Sequence, residues 1–88
     1  MQQFIDDDIG YKDWLRNNPG SFVINTYRSP SPDYLVLHNS DCPTISKDEE
    51  NYTHGDYQKT CDQNRRPLSR WAQETTGNEP TECSICFG

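Results

Sequence analysis

Apolar residues are scarce in this chain, and no run of them is long. Only 31% of its 88 residues are hydrophobic, and no stretch approaches the roughly 20 apolar residues that span a bilayer. A membrane-crossing segment is therefore not expected. The first residues, Met1-Gln-Gln-Phe-Ile, lead straight into Asp6-Asp7-Asp8, without the basic start and apolar run of a secretory signal. That pattern points to a cytoplasmic address, where thiols stay reduced and cysteines serve metals more often than disulfides. Positive charge is scarce as well: eight Lys and Arg stand against fourteen Asp and Glu, for a formal net charge of −6. This balance has the wrong sign for a protein that follows phosphates over its whole surface, although a local patch can act against it. No glycine-rich phosphate loop is present, no Ser-His-Asp arrangement stands out, and no internal repeat divides the chain. One domain spanning residues 1–88 is expected, and no enzyme.

What the chain does have is soft metal donors at short spacings. His38 and Cys42 form a His-x-x-x-Cys pair, and Cys83 and Cys86 form a Cys-x-x-Cys knuckle. Tetrahedral Zn²⁺ takes four such donors, commonly two by two. Small chains also lean on metals, because below roughly 70–80 residues a core alone seldom supplies more than a few kcal/mol. This chain lies just above that size. Cys61 is a fifth donor and His54 a distant sixth. The knuckle acts as a unit, so the open question is which residues complete it. His38 with Cys42 is the favoured pair, since a strand end and the following turn converge on one point. The competing set is Cys42, Cys61, Cys83 and Cys86. Either set is closed, leaves no position for a reactive water, and predicts one structural zinc. Outside the site, Cys61 is either a buried thiol or a reactive one beside the metal. Dithiol catalysis by Cys83 and Cys86 is not expected, because no helix follows them as in thioredoxin-like proteins.

The pattern of the rest predicts an α+β fold: an N-terminal helix, a two- to three-stranded antiparallel sheet, a second helix and the C-terminal knuckle. Residues 8–18 read as the first helix, with Asp6 to Asp8 as cap candidates, an apolar stripe of Ile9, Trp14 and Leu15, and a stop at Asn18-Pro-Gly. Strands are expected over 21–27 and 34–38, joined by the Pro-rich segment 28–33, so that the second strand delivers His38. Residues 46–55 are polar, and Asp48-Glu49-Glu50 reads as a solvated charge run. A short third strand is expected over 56–61. The second helix, 67–76, places Leu68, Trp71, Ala72 and Thr75 on one buried face and stops at Gly77.

The order strand, His38-x-x-x-Cys42, polar segment, short strand, helix, Cys83-x-x-Cys86 resembles the Ada-type metal-binding domain. It is also similar to small zinc modules appended to some nucleases. The resemblance covers roughly residues 34–86 and implies that His38, Cys42, Cys83 and Cys86 hold the metal. It also pulls towards nucleic-acid contact, as an accessory to a nuclease or restriction system. The methyl-accepting cysteine of the Ada type is replaced here by His38, so phosphotriester repair is not implied. Under this reading Lys59, Arg65, Arg66 and Arg70 meet phosphates, with Tyr27 or Arg28 reaching from the hairpin. A solvated helix entrance explains the same basic run. The acidic balance suggests a second reading, a non-catalytic module that binds a basic protein, as a phage-type inhibitor of a nucleic-acid-handling host protein would.

Overall fold

The computed structural model describes residues 1–47 and 51–88; the charge run Asp48-Glu49-Glu50 lies outside the described residues. In chain order the elements are β1 (Gln2–Phe4), α1 (Asp8–Asn17), β2 (Phe22–Tyr27), β3 (Leu35–Asn39), β4 (Tyr57–Asp62), α2 (Arg65–Thr76), β5 (Thr81–Glu82) and α3 (Ser84–Phe87). The strands form one sheet in the order β1-β4-β2-β3-β5. All neighbours are antiparallel except β5, which runs parallel to β3, so the sheet is mixed. The sequence pattern predicts two or three strands, whereas the sheet has five. The additions at its two edges, β1 and β5, span three and two residues. Segments this short carry no readable alternation.

The register divides the residues between the two faces. Val23 of the central strand pairs with His38 on one side and with Cys61 on the other, and Asn25 pairs likewise with Val36 and Lys59. These residues share a face, because side chains alternate along a strand. That face packs against Phe4, Tyr11, Ile45 and the cysteines Cys42 and Cys83. The opposite face carries Ile24 and Leu37, which pack with Leu35 against Leu68 and Ala72 of α2. All of these except Leu35 are completely buried.

The aspartate run starts α1, as its composition predicts, but its members separate in role. Asp7 is the N-cap, accepting from the Gly10 N–H at 2.9 Å. Asp6 adopts a left-handed φ of 53° and pairs with Arg28. Asp8 is buried and its carboxylate accepts from the backbone N–H groups of Tyr52 and Thr53 at 2.7 and 2.8 Å, and faces His54 Nδ1. The predicted stripe of α1 needs correction at its first position. Ile9 is 80% exposed, and the fully buried residue is Tyr11, whose ring meets Phe4 and Tyr52. In α2 the predicted face holds at Leu68 and Ala72, while Trp71 is half-buried and Thr75 is exposed. Gly77 ends α2 with φ 81°, a conformation that a residue with a Cβ rarely takes. No helix among the described residues is long and apolar enough to cross a membrane.

Candidate metal centre

Two stretches of chain far apart in sequence bring four donors to one point. His38 lies near the end of β3, Cys42 in the turn that follows, and Cys83 and Cys86 at the C-terminal knuckle. One ligand atom from each lies within 4.8 Å of all the others. Cys42 Sγ and Cys83 Sγ are 4.0 Å apart, and no cysteine is in a disulfide. Two sulfurs bound at about 2.3 Å to a tetrahedral ion sit roughly 3.8 Å from each other, so this spacing suits a shared metal.

Local hydrogen bonds hold each donor in place. The turn after β3 is closed by Cys42 N–H donating to the Asn39 carbonyl at 3.0 Å and Ile45 N–H donating to the Cys42 carbonyl at 3.1 Å. The returning C-terminal segment is fixed to β3 by Cys83 N–H on the Leu37 carbonyl at 2.9 Å. Asn39 then grips the knuckle twice: its backbone N–H points at Cys86 Sγ at 3.3 Å, and its side-chain amide donates to the Cys86 carbonyl at 3.0 Å. Thr44 Oγ1 lies 3.0 Å from Cys42 Sγ and 3.5 Å from His38 Nδ1. Outer contacts of this kind orient ligands and set a histidine's tautomer. Sequence reasoning passed over Asn39 and Thr44; their one visible signal is that each stands within two residues of a ligand.

The electrostatics suit ligation. Burial, with Lys59 adding to it, pulls the His38 imidazole down to about 4, so the ring is neutral at pH 7 as a ligand must be. His38 Nε2 is buried without a hydrogen-bond partner among the described residues, an orphan of the kind a metal satisfies. At Cys83 burial acts upward, but the N–H groups of Cys86 and Ile85 outweigh it and hold the thiol below its ordinary value. These donors belong to α3, a single turn that Cys83 itself caps. The knuckle itself therefore opens a single helical turn, which contains Cys86 and closes over the sulfur of Cys83; no element follows it among the described residues. Burial pushes the Cys86 thiol up to about 11, against the opposing Asn39 N–H.

The fifth cysteine lies elsewhere. Cys61 shares the sheet face with His38, but β2 stands between their strands, a separation of roughly 10 Å. It is completely buried beside Val23 and Tyr11, and that burial pushes its thiol up, opposite to the activation of a reactive cysteine. His54 is taken by Asp8.

The expected basic patch is dispersed. Lys59 is only 2% exposed, on the sheet face away from α2. Its Nζ donates to the Tyr52 carbonyl and lies over the Tyr52 and Tyr57 rings, and burial lowers the amine to about 8. It therefore cannot act together with the arginines, because period-2 alternation turns it inward. Arg65 pairs with Glu82 at 2.7 Å and covers the Phe87 ring. Arg28 is tied to Asp6 and to the Thr53 carbonyl, and Tyr27 stacks on Tyr57. Arg66 and Arg70 remain exposed beside Trp71, with Asp62 and Glu74 among them.

No family model, curated protein or solved structure matches the chain. The likeness to Ada-type domains therefore rests on ligand spacing and element order alone.

Proposed function

We propose that His38, Cys42, Cys83 and Cys86 bind one zinc ion as a closed structural site in a non-catalytic recognition module for a basic protein partner. The observation that carries the metal reading is the convergence of four donor atoms within 4.8 Å from two chain segments far apart in sequence. A thiolate-rich set with one imidazole favours zinc, and four protein ligands leave no open position for a substrate or a reactive water. The preference for a basic protein over nucleic acid follows from charge. The chain carries −6 overall, and of four expected phosphate contacts Lys59 is buried and Arg65 is paired. Immobilised zinc-loaded protein is expected to retain polylysine and polyarginine at low salt and to release both as salt rises. Failure to retain either polymer at low salt contradicts the reading.

A nucleic-acid reading keeps one specific support: Arg66, Arg70, Pro67 and the half-buried Trp71 line an open groove of about 340 Å³ on α2. Under that reading, single-stranded or duplex DNA is retained at low salt and lost when Arg65, Arg66 and Arg70 all become Ala. DNA retention unchanged by the triple substitution would remove it.

A further inference from the structure

The hydroxyl of Thr44 stands between two of the four donors. Its Oγ1 lies 3.0 Å from Cys42 Sγ and 3.5 Å from His38 Nδ1. The turn that carries it is closed on both sides, by Cys42 N–H on the Asn39 carbonyl and Ile45 N–H on the Cys42 carbonyl. Thr44 itself is exposed, so it contributes little packing and its hydroxyl is the group that reaches the cluster.

Counting protons gives each of these contacts a direction. A sulfur that binds a metal is a thiolate and has no proton to donate. Between Cys42 and Thr44 the hydroxyl is then the donor. A hydroxyl has one proton, so towards His38 the same oxygen can only accept. The single N–H of the neutral His38 ring therefore belongs on Nδ1, which leaves the lone pair on Nε2. Nε2 is the ring atom that is sealed from solvent without a partner among the described residues. The opposite tautomer fails on the same count. With a metal on Nδ1, the Nε2–H is a buried donor that nothing accepts, and the Thr44 oxygen loses the proton it would receive.

The other sulfurs are served by the main chain. Cys86 Sγ faces the Asn39 N–H at 3.3 Å, and Cys83 receives the N–H groups of Cys86 and Ile85. No side-chain substitution removes those donors, whereas the hydroxyl beside Cys42 can be deleted. We infer that His38 binds the metal through Nε2, and that Thr44 is the positioning residue that sets this choice. One hydrogen-bond chain runs from His38 Nδ1–H through the Thr44 hydroxyl to the Cys42 thiolate. The inference rests on the zinc reading above and names the ligating atom and the group that selects it. Outer partners of this kind hold a ligand's orientation and are worth about ten- to a hundredfold in metal affinity.

The test is long-range ¹H–¹⁵N NMR of the imidazole in zinc-loaded protein, together with zinc affinity by competition against a chromophoric chelator. Both are read on the parent protein, Thr44→Val and Thr44→Ser. The parent should show a metal-bound Nε2 and a protonated Nδ1 whose proton exchanges slowly with solvent. Thr44→Val, which keeps the side chain's shape, should still take up one zinc but bind it about tenfold more weakly, with fast exchange at Nδ1. Thr44→Ser should restore both readings. Zinc on Nδ1, a Thr44→Val protein with the parent's affinity and exchange, or a Thr44→Ser protein as weak as Thr44→Val would overturn the proposal. The ligating nitrogen is read on the parent, so it is decided even if Thr44→Val does not fold. A parent that binds no zinc overturns the zinc reading and this assignment with it, whereas zinc bound through Nδ1 overturns the assignment alone.

Discussion

Tyr11 joins the first helix to the turn that carries Cys42. Its ring is completely buried between Phe4 and Tyr52, and its hydroxyl donates to the Ile45 carbonyl at 2.8 Å. Ile45 closes the turn that begins at Cys42. Tyr11→Phe keeps the packing and removes the donor, leaving a buried carbonyl unpaired, and is expected to destabilise the protein by about 1–3 kcal/mol. Urea unfolding of the zinc-loaded protein reads this directly; an unchanged midpoint would show that the hydroxyl bond is immaterial. The two competing ligands make a second comparison at this scale. His38→Ala is expected to lose the metal or bind it far more weakly, and Cys61→Ala to keep one metal per chain at a modest stability loss, as read by metal content after dialysis. Retention by His38→Ala and loss by Cys61→Ala would reverse the assignment. Both donor pairs of the cluster were legible in the sequence because their spacings are local. Tyr11 was not, because α1 buries only Asp8 and Tyr11 completely or nearly so, too few positions to set a period.

Among the elements, α1 is tied to the rest of the molecule through its first turn. The Asp8 carboxylate accepts from Tyr52 and Thr53 and faces His54, so the charged end of one helix holds the segment 52–54 in place. Although burial opposes it, these hydrogen bonds hold the Asp8 carboxyl below its ordinary value of 3.8. A carboxyl lowered in the folded state is protonated first in the unfolded chain as pH falls. Its contribution is therefore full above about pH 4 and is lost as pH drops through the folded value. Asp8→Asn is expected to lower stability at pH 7 and to narrow its gap from the parent protein as pH approaches 3. Paired denaturation curves at the two pH values check this, and a gap independent of pH would contradict it. Strand identity was readable from Phe22-Val-Ile-Asn-Thr-Tyr and Leu35-Val-Leu-His. The register was not, because partners far apart in sequence leave no local mark. That register alone puts Val23 between His38 and Cys61 and so sets Cys61 apart from the cluster that contains His38.

At the scale of the whole molecule, the donor cluster lies where the C-terminal segment meets β3 and its turn. Residues 81–88 meet the sheet through a two-residue parallel strand, a single helical turn, the Asn39 side chain and the Arg65–Glu82 pair. A metal shared by His38, Cys42, Cys83 and Cys86 would bind this segment to β3 and its turn. The strand order also explains why the basic residues do not form one surface: Lys59 faces inward on β4, while Arg65, Arg66 and Arg70 lie on α2 across the sheet. Composition predicted the small acidic α+β unit, but the placement of its charges required the topology. The central claim is that one metal holds this C-terminal closure, and the most direct measurement is the intact mass under native and then denaturing, non-reducing conditions. The account predicts one zinc per chain in the native spectrum, its loss on denaturation, and a bare chain with all four cysteines reduced. A native mass without metal, with the denatured chain lighter by the hydrogens lost to disulfides, would contradict it.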